Sequence, residues 1–326
     1  MKTSRSILVP VIAVLLSVLV PVNLSANAKE RFFQFGLFPP ISSNGTNSGK
    51  TVNSVSINLL GGYSAGTRIF ELGGIWNASR EYTKGLQIAG LLNYSANSCN
   101  SVQISGFGNI ASAGKSPLQI AGLMNVGGHV NGLQLSALVN VAKSVNGVQI
   151  GLVNYMENGE NGVSIGLINI AKHGGKYEFE VSFSDAINTL LSFRLGTDRF
   201  YTIFSGGVNY FFSPLEYAVG LGFGTSIDWK KRWSNQIEIQ AFGISNEQKL
   251  TTNGTINSII QLRLPVCKEF AKHFKVFAGP AINIALQGTG TDGTALPSPA
   301  PWTMWKGQWK DMQAEGWIGL SAGLRF

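Results

Sequence analysis

Charge is scarce in this sequence. Only 13% of its residues are Asp, Glu, Lys or Arg, about half the usual share of a soluble domain. Cysteine is scarcer still: Cys99 and Cys267 are the only two. Two are too few for a disulfide scaffold and neither lies in a Cys-x-x-Cys motif, although the sequence leaves their pairing open. There are 3 histidines, His129, His173 and His273, and no pair has metal-ligand spacing. Beyond about Val22 there is no run of 18 apolar residues, so no later helix is long enough to cross a bilayer. The formal charge is +8, yet Lys230-Lys231-Arg232 is the only tight basic cluster, and nucleic acid is not an expected partner. These absences exclude a disulfide module, a zinc module and a helical membrane protein.

The opening residues are a different case. Lys2 and Arg5 precede an apolar run from Ile7 to about Val22, followed by Ala26-Asn27-Ala28. A basic start, a short apolar core and a small-x-small ending make up a secretory signal peptide. Cleavage is expected after Ala28, with no cysteine at the site to be lipidated. It would remove Lys2 and Arg5 and lower +8 to about +6. The expected organisation is a signal peptide (1–28), an N-terminal periplasmic segment (29–51), a β-strand repeat region (52–171) and C-terminal β-barrel strands (172–326).

Glycine is abundant, at 40 of 326 residues. An exported, low-charge, Gly-rich chain without a spanning helix has one good membrane solution, a closed β-barrel whose strands satisfy one another's backbone groups. Composition also permits a soluble β-solenoid. Residues 85–93 read GLQIAGLLN, and close copies begin at Ser101, Pro117, Gly132, Gly147 and Gly162. Gln recurs at 87, 103, 119, 134 and 149, with Ser164 in the sixth copy. Two degenerate copies precede, around Val55–Gly61 and Phe70–Asn77. A period of about 15 residues is a repeat architecture. Each copy joins about nine alternating residues to a Gly/Asn/Ser-rich turn. Nine residues span roughly 30 Å, the reach of a tilted membrane strand.

Two arrangements fit these copies. In an antiparallel meander each is one membrane strand. In a parallel solenoid each is one coil, and Gln and Asn stack into ladders. A three-sided coil would want apolar residues inward on every side, whereas here they concentrate in nine positions. The shorter IGLVN copies are also easily absorbed by a meander as a β-bulge. The meander is therefore expected.

Residues 176–326 alternate more plainly. Tyr177, Phe179, Val181 and Phe183 interleave with Glu178, Glu180, Ser182 and Ser184. Arg194, Glu238, Arg263 and Arg325 sit in similar registers, between apolar neighbours. In a membrane barrel the apolar face meets lipid and these six charged residues, Glu178, Glu180, Arg194, Glu238, Arg263 and Arg325, face the lumen. Eight strands here and eight in the repeats make sixteen. That is an even number, which puts both termini on one side. The segment Gly288–Gln313 is then an outer loop, with Trp229–Trp233 and Phe270–His273 as periplasmic turns.

The last strand, ending on Phe326, resembles the C-terminal signal that the barrel-assembly machinery of bacterial outer membranes recognises. The run from about Gly132 to Leu286, through GVQIGLVN (147–154), GVSIGLINIAKHGGKYEFEV (162–181), FRLGTDRFYTIFSGGVNY (193–210), QLRL (261–264) and VFAGPAINI (276–284), resembles uncharacterised bacterial surface proteins with tandem GLVN-type repeats followed by β-barrel strands. The resemblance covers roughly half of the chain and implies placement at the cell surface. It supplies no activity.

Chemistry-bearing constellations are few. Each histidine falls in an expected turn with no serine-nucleophile signature beside it. Gly220-Leu-Gly222-Phe-Gly224 does not join a strand to a helix, so it is not read as a phosphate loop. The acids are offset by arginines on the same kind of face, and a lumen charge network accounts for them without a carboxylate active site. Trp302, Trp305 and Trp309, after Pro297, Pro299 and Pro301, are the surface-loop binding candidates, with interface anchoring as their plainer role.

The expectation is thus an all-β, antiparallel transmembrane β-barrel of about 16 strands, non-enzymatic, serving in the outer membrane as a pore or surface structural protein. It would contact outer-membrane lipid, with no catalytic, cofactor or metal residues. The alternative is a repeat β-solenoid used as a binding surface on a barrel anchor of about 8 strands. An outer-membrane hydrolase is the third reading, and would need a histidine beside a serine and a carboxylate.

Overall fold

The computed structural model describes residues 28–210, 215–230, 232–246, 257–271, 273–288, 300, 302–309 and 312–326. The expected signal peptide, apart from Ala28, lies outside them, as do Lys231, Pro297, Pro299 and Pro301. The fold is all-β and divides into two sheets.

Residues 29–173 form a β-solenoid of about 8 turns. Its strands pair in parallel, with identical repeat positions in register: Gln87 beside Gln103, Gln103 beside Gln119, Gln119 beside Gln134, and Gln134 beside Gln149. The asparagines behave likewise, from Asn77 beside Asn93 to Asn154 beside Asn169. The antiparallel meander expected over 52–171 is therefore not formed, and neither is a single 16-strand sheet. Parallel stacking wins because it brings each amide against its own kind in the next coil, where it can both donate and accept.

Each coil is two-sided rather than three-sided. One face carries the Gln strand, the other the Asn strand, and a tight apolar edge joins them. Close packing favours glycine at that edge, where a Cβ on Gly106 would stand 2.2 Å from the carbonyl oxygen of Gly90, although Ala137 holds the equivalent place in one coil. The one-residue shortening of the IGLVN copies is absorbed there, where Gly151 alone replaces Ser136-Ala137.

Residues 29–51 are part of this solenoid rather than a separate segment. The Lys29–Phe38 strand pairs in parallel with Thr51–Asn58. The short Ile41–Ser42 strand and the 3-10 turn Gly45–Lys50 close the end. Asn44 there donates to the side-chain oxygens of Gln34 at 2.7 Å and Asn53 at 2.9 Å.

The second sheet closes on itself. Lys176–Ser184, Thr189–Thr197, Phe200–Asn209, Glu216–Lys230 and Trp233–Asn246 run antiparallel in order. Asn257–Arg263 and Val266–Ala271 share the next position, followed by Phe274–Gly288 and Met312–Arg325. Met312–Arg325 then pairs with Lys176–Ser184, closing a barrel of eight strand positions. These positions follow the expected C-terminal strands closely. The turn at 198–199, together with Arg232 and His273, marks one end, and the 185–188 turn lies at the other.

The last coil abuts the outer wall of this barrel near its short-turn end. Asn169 Nδ2 donates to Thr202 Oγ1 at 3.1 Å, and Thr202 Oγ1 donates to the Gly166 carbonyl at 2.8 Å. The Tyr177 hydroxyl donates to the Ala171 carbonyl at 2.7 Å and accepts from the Ala171 N–H at 3.1 Å. An open strand edge is a template for aggregation, and here the barrel wall caps it.

Candidate functional site: polar interiors and apolar exteriors

The six charged residues marked as lumen-facing all point inward and are buried. Five of them form one cage. Arg194 reaches Glu238 at 2.9 Å and Glu180 at 2.5 Å. Arg263 reaches Glu180 at 3.0 Å and Glu238 at 2.6 Å. Arg325 reaches the same two carboxylates at 2.7 and 3.2 Å. Tyr201 donates to Glu238 at 2.9 Å, and the Arg325 guanidinium stacks on Phe277 at 4.3 Å. Three arginines therefore hold two glutamates, and each carboxylate touches all three guanidiniums.

Glu178 stands apart, nearer the short-turn mouth. It lies 2.6 Å from Lys275 and 3.6 Å from Lys176, which also pairs with Asp198 at 2.8 Å. These residues line a hollow of about 360 Å³ together with Tyr177, His273, Arg325 and Phe326. No cluster of three or more His, Cys, Asp or Glu residues suited to a metal occurs among the described residues.

The glycines of Gly220-Leu-Gly222-Phe-Gly224 face inward on a strand and make room for large neighbours. A Cβ on Gly220 would meet Phe242 at 2.3 Å, and one on Gly224 would meet Tyr201 at 2.5 Å. Toward the other mouth the interior turns apolar: Ile187, Leu190, Phe242, Ile259 and Trp317 pack together. Asp185, in the 185–188 turn, accepts from Trp317 Nε1 and from the Leu320 N–H. Reading the sequence did not single out Tyr201, Asp185 or Trp317. Each bonds to residues on a distant strand and has no sequence signal of its own.

The exterior is the inverse of this interior. Along Glu216–Lys230 the outward residues Tyr217, Val219, Leu221, Phe223, Ile227 and Trp229 are all exposed. Tyr217 and Trp229 stand about 40 Å apart along the strand at ~3.3 Å per residue, or about 30 Å along the axis at a tilt near 40°. Trp233 and Phe270 join Trp229 at the short-turn end; Tyr210 joins Tyr217 at the other. Trp302 and Trp305 are exposed beyond that second end, where Trp305–Trp309 forms a hairpin with Met312–Arg325. The Trp309 side chain lies outside the described residues.

The solenoid repeats the inversion. Gln87, Gln103, Gln119, Gln134, Gln149 and the stacked asparagines are fully buried, while Leu91, Phe107, Leu138 and Leu152 are exposed. Each Asn Nδ2 donates forward, from Asn77 to Asn93 at 3.0 Å through to Asn154 to Asn169 at 2.9 Å. Each Gln Nε2 donates backward, from Gln149 to Gln134 at 2.7 Å through to Gln87, which donates to Glu71 at 2.9 Å. Glu71 occupies the Gln position of its own coil, and burial pushes its carboxyl above the usual range. The expectation that a solenoid would turn its leucines inward is thus corrected. The amides satisfy one another and the backbone, so a dry polar core is stable and apolar side chains are free to face outward. A signal for this was present: the Gln and Asn recur almost unchanged, whereas the apolar positions interchange Leu, Val, Met and Phe.

Cys99 and Cys267 are both free and buried, one in each unit. His129 Nδ1 lies 2.6 Å from Ser144 Oγ on the exposed turn edge. No hydrogen bond joins His129 to a carboxylate among the described residues, so the hydrolase constellation is not assembled there. No protein-family model, curated protein or solved structure matches this chain.

Proposed function

We propose that this is an exported, non-enzymatic outer-membrane protein in which an eight-position barrel anchors a repeat solenoid that serves as a structural or binding surface at the cell envelope. One observation carries the reading. The barrel is inverted relative to a soluble one, with a charge cage inside and an apolar belt of about 30 Å between two aromatic girdles outside, the pattern of a membrane barrel. A soluble protein would not leave this much continuous apolar wall in water. No helix among the described residues is long and apolar enough to cross a membrane.

The same geometry argues against the porin-like reading. Eight strands enclose a space just wide enough for side chains, and here an ionic cage and an apolar plug fill it. Placement at the bacterial surface agrees with the likeness to GLVN-repeat proteins and with the signal-peptide pattern. The test is expression in a Gram-negative host with membrane fractionation, then electrophoresis of unheated and heated samples. A folded barrel floats with outer-membrane vesicles and changes mobility on heating. Recovery in the soluble periplasmic fraction would refute the proposal.

A further inference from the structure

We propose that the solenoid does not project into water but lies in the plane of the membrane, sunk into the leaflet on the barrel's short-turn side, with acyl chains covering its two faces and its tight edge. The inference rests on the membrane-barrel reading and adds to it a second lipid-binding surface of a different kind.

The coil is amphipathic in cross-section. Its tight edge is a column of apolar side chains, including Phe107 at 43%, Leu138 at 44% and Leu152 at 47% exposure. The two faces are also apolar, with columns such as Leu118, Leu133 and Val148 on one and Val126, Val141 and Tyr155 on the other. The opposite edge is polar and of mixed charge, with Lys84, Lys115, Lys143 and Lys172 beside Glu81, Glu157 and Glu160 among Asn, Ser and Gly, a rim suited to the hydrated headgroup region.

The junction orients this cross-section against the barrel. On the polar edge, the Asn161 carbonyl accepts from Arg199 Nη1 at 3.0 Å, and Arg199 lies in a short turn at the barrel end. At the tight edge, the Gly166 carbonyl meets Thr202, the third residue of the Phe200–Asn209 strand and so further up the wall. The polar edge is therefore level with the barrel's short-turn rim, and the apolar edge is level with the lower part of its apolar belt. From Asn161 to Gly166 the coil spans about 16 Å at ~3.3 Å per residue, close to half of a ~30 Å hydrocarbon core.

Backbone groups buried in lipid must be satisfied internally, and at this edge they are. The N–H of Leu91 donates to Ile75, Phe107 to Leu91, Leu123 to Phe107 and Leu138 to Leu123, at 2.7 to 3.2 Å. With about 8 turns at ~4.8 Å each, the solenoid would extend roughly 40 Å sideways from the barrel.

The experiment places one bimane fluorophore on a single cysteine at Leu138, Asn146 or Leu320, in full-length protein lacking Cys99 and Cys267. The protein is reconstituted in phosphatidylethanolamine/phosphatidylglycerol vesicles doped with lipids that carry a nitroxide deep in the chain. Leu320 is the reference on the barrel wall; Phe107 replaces Leu138 if that variant does not fold. The expected result is that Leu138 loses as much emission as Leu320 while Asn146 keeps its own. Quenching at Leu320 alone would overturn the inference and leave the barrel reading standing, with water or protein covering the solenoid. Quenching at all three would overturn the half-depth placement, and quenching at none would remove the membrane reading itself.

Discussion

Removing Glu238 tests the barrel's ionic cage most directly. The change Glu238→Gln keeps the side-chain shape but leaves Glu180 alone among three buried guanidiniums. Glu238 meets those guanidiniums at 2.6 to 3.2 Å. Each charge pair at ~4 Å is worth about 4 kcal/mol at an effective dielectric near 20. The loss is partly offset, because Glu238 no longer needs desolvating and no longer repels Glu180. Breaking a buried ion pair from one side typically costs about 3–5 kcal/mol, and that is the expected destabilisation. Urea unfolding of the vesicle-reconstituted protein is the assay. With m of roughly 1–3 kcal/mol/M, the midpoint should fall by at least about 1 M. The double change Glu238→Gln with Arg263→Gln returns the cage to its original net charge and should recover about 1–3 kcal/mol of coupling. A Glu238→Gln variant within ~0.5 kcal/mol of the parent would refute the reasoning, because it would mean that water screens the cage and the lumen is wet.

Three further outcomes are expected. Asn109→Ala removes the acceptor of Asn93 and the donor to the Ile120 carbonyl and to Asn125. At about 1–3 kcal/mol per stranded buried group, it should open the mid-solenoid coils to hydrogen exchange while barrel amides stay protected. Burial raises the Glu71 carboxyl, so the folded state holds its proton at pH values where the unfolded chain has released it. Stability should then fall as pH rises from the usual carboxylate range through the raised value. Glu71→Gln should abolish that slope and be the more stable form at neutral pH, as chemical denaturation across pH will show. Tyr177→Phe strands both the N–H and the carbonyl of Ala171 at the junction; proteolysis between 168 and 175 should accelerate, with the barrel itself remaining intact.

How much of this was legible in the sequence differs between the two halves. In the second half, alternation alone predicted which residues turn inward. Glu178, Glu180, Arg194, Glu238, Arg263 and Arg325 all do so, because a strand's period of two assigns its faces once one side is known. In the first half, the period and the ladder residues were equally plain, but their geometry was not. A nine-residue alternating segment looks the same whether its neighbour runs parallel or antiparallel. The separation that decides the matter, one coil to the next, exists only when the chain has turned back on itself. For a coil, apolar residues were expected inside, whereas the amides fill the core.

The sequence by itself therefore determined the all-β class, the repeat period, the eight barrel strands and the polarity of each barrel face. These follow from local alternation, glycine-rich turns and the shortage of charge. The tertiary structure alone decided that the repeats stack as parallel coils, that five charges from strands far apart in the chain meet in one cage, and that the barrel wall caps the last coil. It also decided that amides rather than leucines fill the solenoid. The reason is common to all four: each depends on which distant residues become neighbours, and a hydrogen bond between Asn169 and Thr202, or between Arg194 and Glu238, leaves no trace in the residues adjacent to either.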